Sequence, residues 1–405
     1  MELVVPHLQS LTSQGPTPLS VFFNHSLNPP PTAGFFYLNY LWYDVDVSSA
    51  LTKTFKTIKQ HWLTVGFLLG FVTDYILLNS IDDLFDNLVL LFYALLSSVS
   101  VLLFYTGIAE RGPQFFYNFL KRFAPLLMQY SFGGLLSGML IFYGRSGDWL
   151  ASWPFLLLIV AVVVGNEFIG KRSDKLIFHL ALYFTGIYSY VVLVTPVLLG
   201  KMGDWIFILS GIVALMWVTF VVQILYKIIP NFMNLNTKRI IVTLGGIYIG
   251  FNVLYFTNAI PPIPLSLTKL EVAQSVVRQT NGNYRIELEE QAWYTHLPFI
   301  HPVIHPKNDS IACFARVYAP TKLSTKIFHR WEFQDEKGSW HEQFRFGYDI
   351  AGSNQGGYRG YTVLQNYRAG IWRCTVETER GQVLGREVFQ IITIGPTGRL
   401  VTEIE

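Results

Sequence analysis

The sequence predicts a membrane α-helical bundle of seven transmembrane helices followed by an all-β, immunoglobulin-like sandwich. Three observations carry that fold class. The 405 residues are 51% hydrophobic and only 14% charged, against about 25% charged in soluble chains, and the mean hydropathy is +0.35. The charges are unevenly spread: residues 61–260 hold 20 of the 57, whereas residues 269–405 hold 31, of which 16 are basic and 15 acidic. Beyond about residue 275 the apolar spacing changes from long runs to a period of two. Together these exclude a wholly cytosolic enzyme. The formal net charge of +3 is too small to mark a nucleic-acid binder. Two cysteines exclude a disulfide-dense scaffold and a four-cysteine metal site.

Residues 1–60 read as a cytoplasmic N-terminal segment. They lack the basic and apolar regions of a signal peptide. The Gln14-Gly-Pro-Thr-Pro18 and Asn28-Pro-Pro-Pro31 stretches have no period and predict partial disorder. Phe35, Phe36, Tyr37, Tyr40, Trp42 and Tyr43 form an aromatic stretch that suits a membrane interface or docking against the protein's own helices.

A bilayer core about 30 Å thick needs roughly 20 apolar residues per helix. Seven segments of residues 61–260 qualify: about 62–80, 84–106, 123–144, 150–168, 176–199, 204–228 and 239–259. Glycines in the third, and Pro154 and Pro196 in the fourth and fifth, are tolerated in such helices and favour close packing or kinks. Lys53, Lys56, Lys59, Arg111, Lys121, Arg122, Lys171, Arg172, Lys175, Lys227, Lys238 and Arg239 fall on one side, against Arg145 and Lys201 on the other. Positive charge stays inside, so the N-terminus is read as cytoplasmic and, after seven crossings, the C-terminal domain as extracytoplasmic.

Residues 261–275, opening with Pro261-Pro-Ile-Pro264, read as a stiff Pro-rich linker. Residues 276–395 read as the β-sandwich, with strands at Tyr284–Leu288, Ser310–Tyr318, Ile327–Phe333, Trp340–Tyr348, Tyr361–Gln365, Ile371–Glu377 and Arg386–Ile394. Residues 396–405 read as a C-terminal tail. Alternation turns Cys313 and Cys374 toward the same interior, with Trp331 between them in sequence. That order is similar to the inter-sheet disulfide pattern of immunoglobulin-like sandwiches, and an oxidising exterior permits the bond. Two reduced, buried cysteines packing as small hydrophobes are the alternative.

His329-Arg-Trp-Glu-Phe333, Tyr358-Arg-Gly-Tyr-Thr362, Gly370-Ile-Trp-Arg-Cys-Thr-Val-Glu-Thr378 and Gly381-Gln-Val-Leu-Gly-Arg386 resemble the C-terminal module known as domain of unknown function 2914. Phe132-Gly-Gly-Leu-Leu-Ser137, Ile141-Phe-Tyr-Gly-Arg-Ser146 and Gly165-Asn-Glu-Phe168 resemble the polytopic region that precedes the module in that family. The resemblance implies a bacterial inner (plasma) membrane protein with an exported β-domain. It implies no catalytic residues.

Ionisable groups inside a membrane are costly, and so are candidates for function. Asp74, Asn166, Glu167 and His179 are the candidate intramembrane polar site. The alternatives are an interfacial place or one helix–helix hydrogen bond for Asp74, a salt bridge to Lys171 and Arg172 for Asn166 and Glu167, and a hydrogen bond within the bundle for His179. Arg330, Arg345, Arg359, Tyr361 and Arg373 are a candidate binding face for an anionic envelope component, because guanidinium forks suit carboxylates and phosphates. Cross-strand pairing with Glu332, Glu342, Glu377 and Glu387 is the alternative. His296, His301, His305, His329 and His341 match no metal-ligand spacing, so no metal is expected. No Gly-rich phosphate loop or other cofactor motif is present, so no cofactor is expected. The sequence therefore favours a non-enzymatic envelope protein, its exported domain binding a protein or glycan partner and its bundle anchoring or signalling. A transporter or membrane-embedded enzyme is the rival. The lipid bilayer is the expected partner, and nucleic acid is not.

Overall fold

In the computed structural model, the described residues are 72–78, 83–148, 152–157, 161, 172–292, 295, 300–307, 309–320, 323–351, 357–394 and 398–405. The aromatic stretch at 35–43, most of the span read at 62–80 and most of that at 150–168 lie outside them. Five long helices come first: α1 (Leu84–Ile108), α2 (Gln114–Arg145), α3 (Arg172–Leu199), α4 (Asp204–Ile228) and α5 (Pro230–Phe256). All five are long and apolar enough to cross a membrane.

Local chemistry sets their limits. Asp83 caps α1, its Oδ1 accepting from the Phe85 N–H at 3.1 Å. Helix α2 begins nine residues before the expected span, at Gln114 rather than 123, and carries Pro125 inside it. Its opening stretch holds Gln114, Asn118, Lys121 and Arg122, which dilute the apolar run without breaking the helix. Helix α5 likewise begins at Pro230 rather than 239, the proline sitting in its first turn, where its missing N–H costs nothing. The polar residues that hid this start bond back to their own helix: Asn236 Nδ2 donates to the Phe232 carbonyl at 2.9 Å, and Thr237 Oγ1 to that of Met233 at 3.0 Å.

Small residues let these helices approach. A Cβ on Gly134 would lie 2.5 Å from the Tyr93 ring, and one on Gly211 would lie 2.5 Å from the Tyr188 hydroxyl. Stacked rings join α3, α4 and α5, with centroids 4.5 Å apart for Tyr188–Phe251 and 3.9 Å for Phe207–Tyr255. Helices α1 and α2 are antiparallel, since Gly107 meets Leu120 while Gly138 meets Leu90.

The C-terminal region is β-rich. Its strands are β1 (Ser266–Ala273), β2 (Ser275–Arg278), β3 (Tyr284–Glu289), β4 (Val303–Ile304), β5 (Ser310–Tyr318), β6 (Ser324–Gln334), β7 (Trp340–Ala351), β8 (Tyr358–Gln365), β9 (Gly370–Thr378), β10 (Val383–Ile391) and β11 (Leu400–Ile404). They form sheets ordered β1-β5-β8, β4-β10-β9-β6-β7 and β11-β3-β2. Every pairing is antiparallel except β4 with β10. The first two sheets share a core in which Ile311, Cys313 and Leu364 of one meet Trp331, Trp372, Cys374 and Phe389 of the other. A disulfide joins Cys313 to Cys374 across that core, with Cα atoms 6.6 Å apart.

Two segments differ from the sequence reading. Residues 261–275 are more than a linker, because 266–273 are strand β1, whose Val272 pairs with Cys313 of β5. The prolines obscured an alternation that starts directly after them, and Leu265 is completely buried. The tail read at 396–405 contains β11, an edge strand paired along its length with β3. Its short, charged sequence carries too little apolar signal to mark a strand.

The β9–β10 hairpin seats on one end of the bundle. Arg380 forms an ion pair with Asp204 at the start of α4, and its guanidinium lies 4.4 Å from the Tyr255 ring. Asn258 Nδ2 donates to the Arg380 carbonyl at 3.1 Å, and Gln382 Nε2 donates to the Ile260 carbonyl at 3.2 Å. Arg386 pairs with Asp148, just beyond α2, at 2.8 Å.

Candidate functional site

Within the bundle, Asp74 is buried against α1 and α2. Tyr93 Oη donates to its Oδ1 at 3.0 Å, and Ser137 Oγ donates to its Oδ2. The Gly133–Gly134 turn of α2 makes room for Tyr93, and Ser137 follows one turn later, so the two hydroxyls converge on one carboxyl. His179 sits elsewhere. Its Nδ1 lies 3.0 Å from Tyr105 Oη, and the Phe104 ring meets its imidazole edge-on at 5.4 Å. Tyr93 and Tyr105 are twelve residues apart on α1, about 18 Å along the axis, so Asp74 and His179 do not share a site. Asn166 and Glu167 lie outside the described residues.

Between those two clusters lies a set of hydroxyls that the sequence reading passed over. Ser98 Oγ lies 2.6 Å from Tyr183 Oη and accepts from Trp217 Nε1 at 3.1 Å. Ser100 meets Ser131 at 3.1 Å. The signal was present as Ser97-Ser98-Val-Ser100 inside an apolar run. Hydroxyls of this kind also bond to carbonyls three or four residues back, as Ser97 and Ser98 do to Ala94. They fix helix packing and need no other partner.

In the β-rich region the five residues of the expected face divide. Arg330, Arg345 and Arg373 lie on β6, β7 and β9 of the five-stranded sheet, whereas Arg359 and Tyr361 lie on β8 of another sheet. Arg345 Nε reaches Glu377 at 2.7 Å, and Arg330 reaches the other oxygen of that carboxylate at 3.1 Å. Arg373 Nε meets Glu332 at 2.7 Å, joined there by the Thr375 hydroxyl at 3.1 Å. Guanidinium groups also stack on rings, 3.9 Å for Arg345 over Phe328 and 4.2 Å for Arg373 over Trp340. Burial works against charge on Glu332, but Arg373 and Arg330 outweigh it and hold the carboxyl below the usual range. These three arginines are engaged by their own domain. Tyr361 meets Tyr284 edge-on at 6.0 Å.

Of the histidines, His305 pairs with Glu289 and His341 with Asp335, while His296 lies outside the described residues. His329 is fully buried between Tyr348 Oη at 2.9 Å and Thr362 Oγ1 at 3.1 Å, and burial pushes its imidazole down to about 3. Cys313, His329 and Cys374 bring their ligand atoms within 4.8 Å of one another, but the two sulfurs are bonded to each other.

A cleft of about 390 Å³ between β1, β3, β10 and β11 gathers Glu271, Glu289, Glu387 and Glu403. Burial, reinforced by Glu271, pushes Glu387 up to about 7. Lys269 bridges Glu271 at 3.3 Å and Glu405 at 2.8 Å and also pairs with Glu403. These acids come from both ends of the domain, and no local motif marked them.

The fold thus defines a set of long apolar helices carrying a β-rich C-terminal domain. Residues 324–391, from the first residue of β6 to the last of β10, match the family described as Protein of unknown function (DUF2914). No curated protein matches the chain. Among solved structures, the Pseudomonas fluorescens alkylpurine DNA glycosylase AlkC bound to DNA containing an abasic site analog aligns over 78% of this chain and 100% of its own. That alignment is 10% identical with a TM-score of 0.18, too low to carry an argument.

Proposed function

We propose that this chain is a multi-pass protein of the bacterial inner membrane. In this reading an extracytoplasmic, immunoglobulin-like β-domain binds an envelope ligand or protein partner, and the bundle anchors it or transmits its state. The observation that carries the reading is the docked hairpin. Two arginines of one hairpin, Arg380 in its turn and Arg386 on β10, engage two separate helix ends through Asp204 and Asp148, so a load on the domain reaches the bundle directly. The helix directions support seven crossings. Both α2 and α3 end on the side where the domain sits, and Asp74 and Leu78 run up beside Ser137 and Arg145, which supports crossings at 62–80 and 150–168.

The test is accessibility of cysteines placed at exposed positions, because Cys313 and Cys374 are buried. Lys337→Cys, in the β6–β7 turn, is expected to react with a membrane-impermeant maleimide in cells whose outer membrane has been opened. Gln114→Cys, at the far end of the bundle, is expected to react only after the inner membrane is broken. The reverse pattern overturns the orientation.

The buried carboxyl of Asp74 favours a second reading, a transporter or membrane enzyme with a polar site in the bundle. Asp74→Asn, which keeps the shape, separates the two. Loss of phenotype at normal abundance favours the rival, whereas an intact phenotype leaves the binding reading standing.

A further inference from the structure

The end of the bundle remote from the β-domain holds an apolar groove of about 300 Å³. Phe104, Tyr105 and Ile108 of α1 form one wall, and Ile229 and Phe232 at the α4–α5 corner form the other. Lys175, in the first turn of α3, closes the rim. We propose that this groove binds an anionic phospholipid, one acyl chain lying against the aromatic wall and the phosphate on the Lys175 ammonium. The proposal rests on the membrane reading given above.

The lining fits a hydrocarbon chain. The one polar atom of its wall that would object, Tyr105 Oη, is already engaged by His179. The rim fits an anion. Lys175 is exposed, and among the described residues it pairs with no carboxylate. Lys227, in the last turn of α4, and Arg111, three residues beyond Ile108, are also exposed and add positive charge at the same end. Among the described side chains, the nearby acid Glu110 is neutralised by Lys121 at 2.6 Å. A zwitterionic headgroup would bring its own ammonium toward Lys175, whereas a headgroup with net negative charge meets no such opposition.

The experiment uses the full chain, purified in detergent and stripped of lipid. It is titrated with phosphatidylglycerol or phosphatidylethanolamine of identical acyl chains, and bound lipid is counted by native mass spectrometry. Wild type is expected to prefer phosphatidylglycerol by about fivefold, the effect of one well-placed cation. Lys175→Gln brings the ratio near one, and Lys175→Arg restores it. Lys201→Gln, at the opposite end of the bundle, leaves it unchanged. Ala109→Phe, which narrows the groove, weakens both lipids. An unchanged ratio in Lys175→Gln, or an equal loss in Lys201→Gln, overturns the site. Release of the protein from membranes by a carbonate wash is a different failure, because it removes the membrane reading and the site with it.

Discussion

The bundle and the β-rich domain bury polar groups in opposite ways. In the bundle the buried polar atoms are mostly hydroxyls, met by other hydroxyls or by carbonyls of their own helix, as in Ser98–Tyr183 and Ser100–Ser131. Close approach there is a matter of shape, with glycine against ring. The domain buries carboxylates, Glu332 and Glu377, beneath three half-buried arginines, and fastens its two sheets with a covalent bond. The difference follows from what each has to satisfy. A long helix closes its own backbone hydrogen bonds and needs its neighbours only for fit. A sheet of short strands gains its order from partners far away in sequence, so strong cross-strand and cross-sheet links decide its register.

That contrast can be broken at its strongest point first. Replacing both Cys313 and Cys374 with alanine opens a loop closed across a sequence separation of 61. The expected loss is about 4 kcal/mol, on the chain-entropy model. It is checked by denaturant unfolding followed by limited proteolysis, with the domain cleaved early and the helices protected. Equal sensitivity of both regions would remove the contrast. The converse test is Gly134→Val, which drives a side chain into the Tyr93 ring and costs about 2 kcal/mol in overpacking. It is expected to lower the thermal midpoint of the helices while leaving the disulfide-linked domain intact.

The smallest effect concerns charge. Glu387 has an ordinary value of 4.5 and is pushed up to about 7 in the folded domain, by burial and then by Glu271. The folded state therefore holds a proton that the unfolded state releases, and stability falls as pH rises from 4.5 through 7. Glu387→Gln is expected to recover roughly 1 kcal/mol at pH 8, the ~3 kcal/mol implied by a rise from 4.5 to about 7 being reduced by the solvent that reaches the cleft, and nothing at pH 4. His329 tilts the other way: pushed down to about 3 from 6.5, it stays neutral when folded, so stability falls as pH drops below 6.5. Comparing wild type with Glu387→Gln across the range isolates the carboxyl, because the histidine contributes equally to both.

How much of this was legible depends on how local each feature is. Five of the long helices were readable because an apolar run of some 20 residues is a local signal, although the starts of α2 and α5 were masked by polar residues that bond within their own turns. Seven strands announced themselves by alternation. The β1 and β11 strands did not, because Lys269, Glu271 and Glu403 make them look like charged coil. Alternation also sets the inward face on which Cys313 and Cys374 lie. The fate of the arginines was out of reach, since the choice between solvent and Glu377 for Arg345 depends on the register of β7 against β6 and β9. The acidic cleft was less visible still, being assembled from strands more than a hundred residues apart.

The stretch matching DUF2914 contains the whole β9–β10 hairpin, so the part that grips the bundle belongs to the module and not to the chain leading into it. Grafting the domain onto another anchor by cutting at residue 261 would carry Arg380 and Arg386 to a new host without Asp204 and Asp148. Two cations would then sit unpaired at the seam. A working chimaera has to transplant the acids on the helix ends as well, which makes the domain and its pedestal a matched pair rather than interchangeable parts.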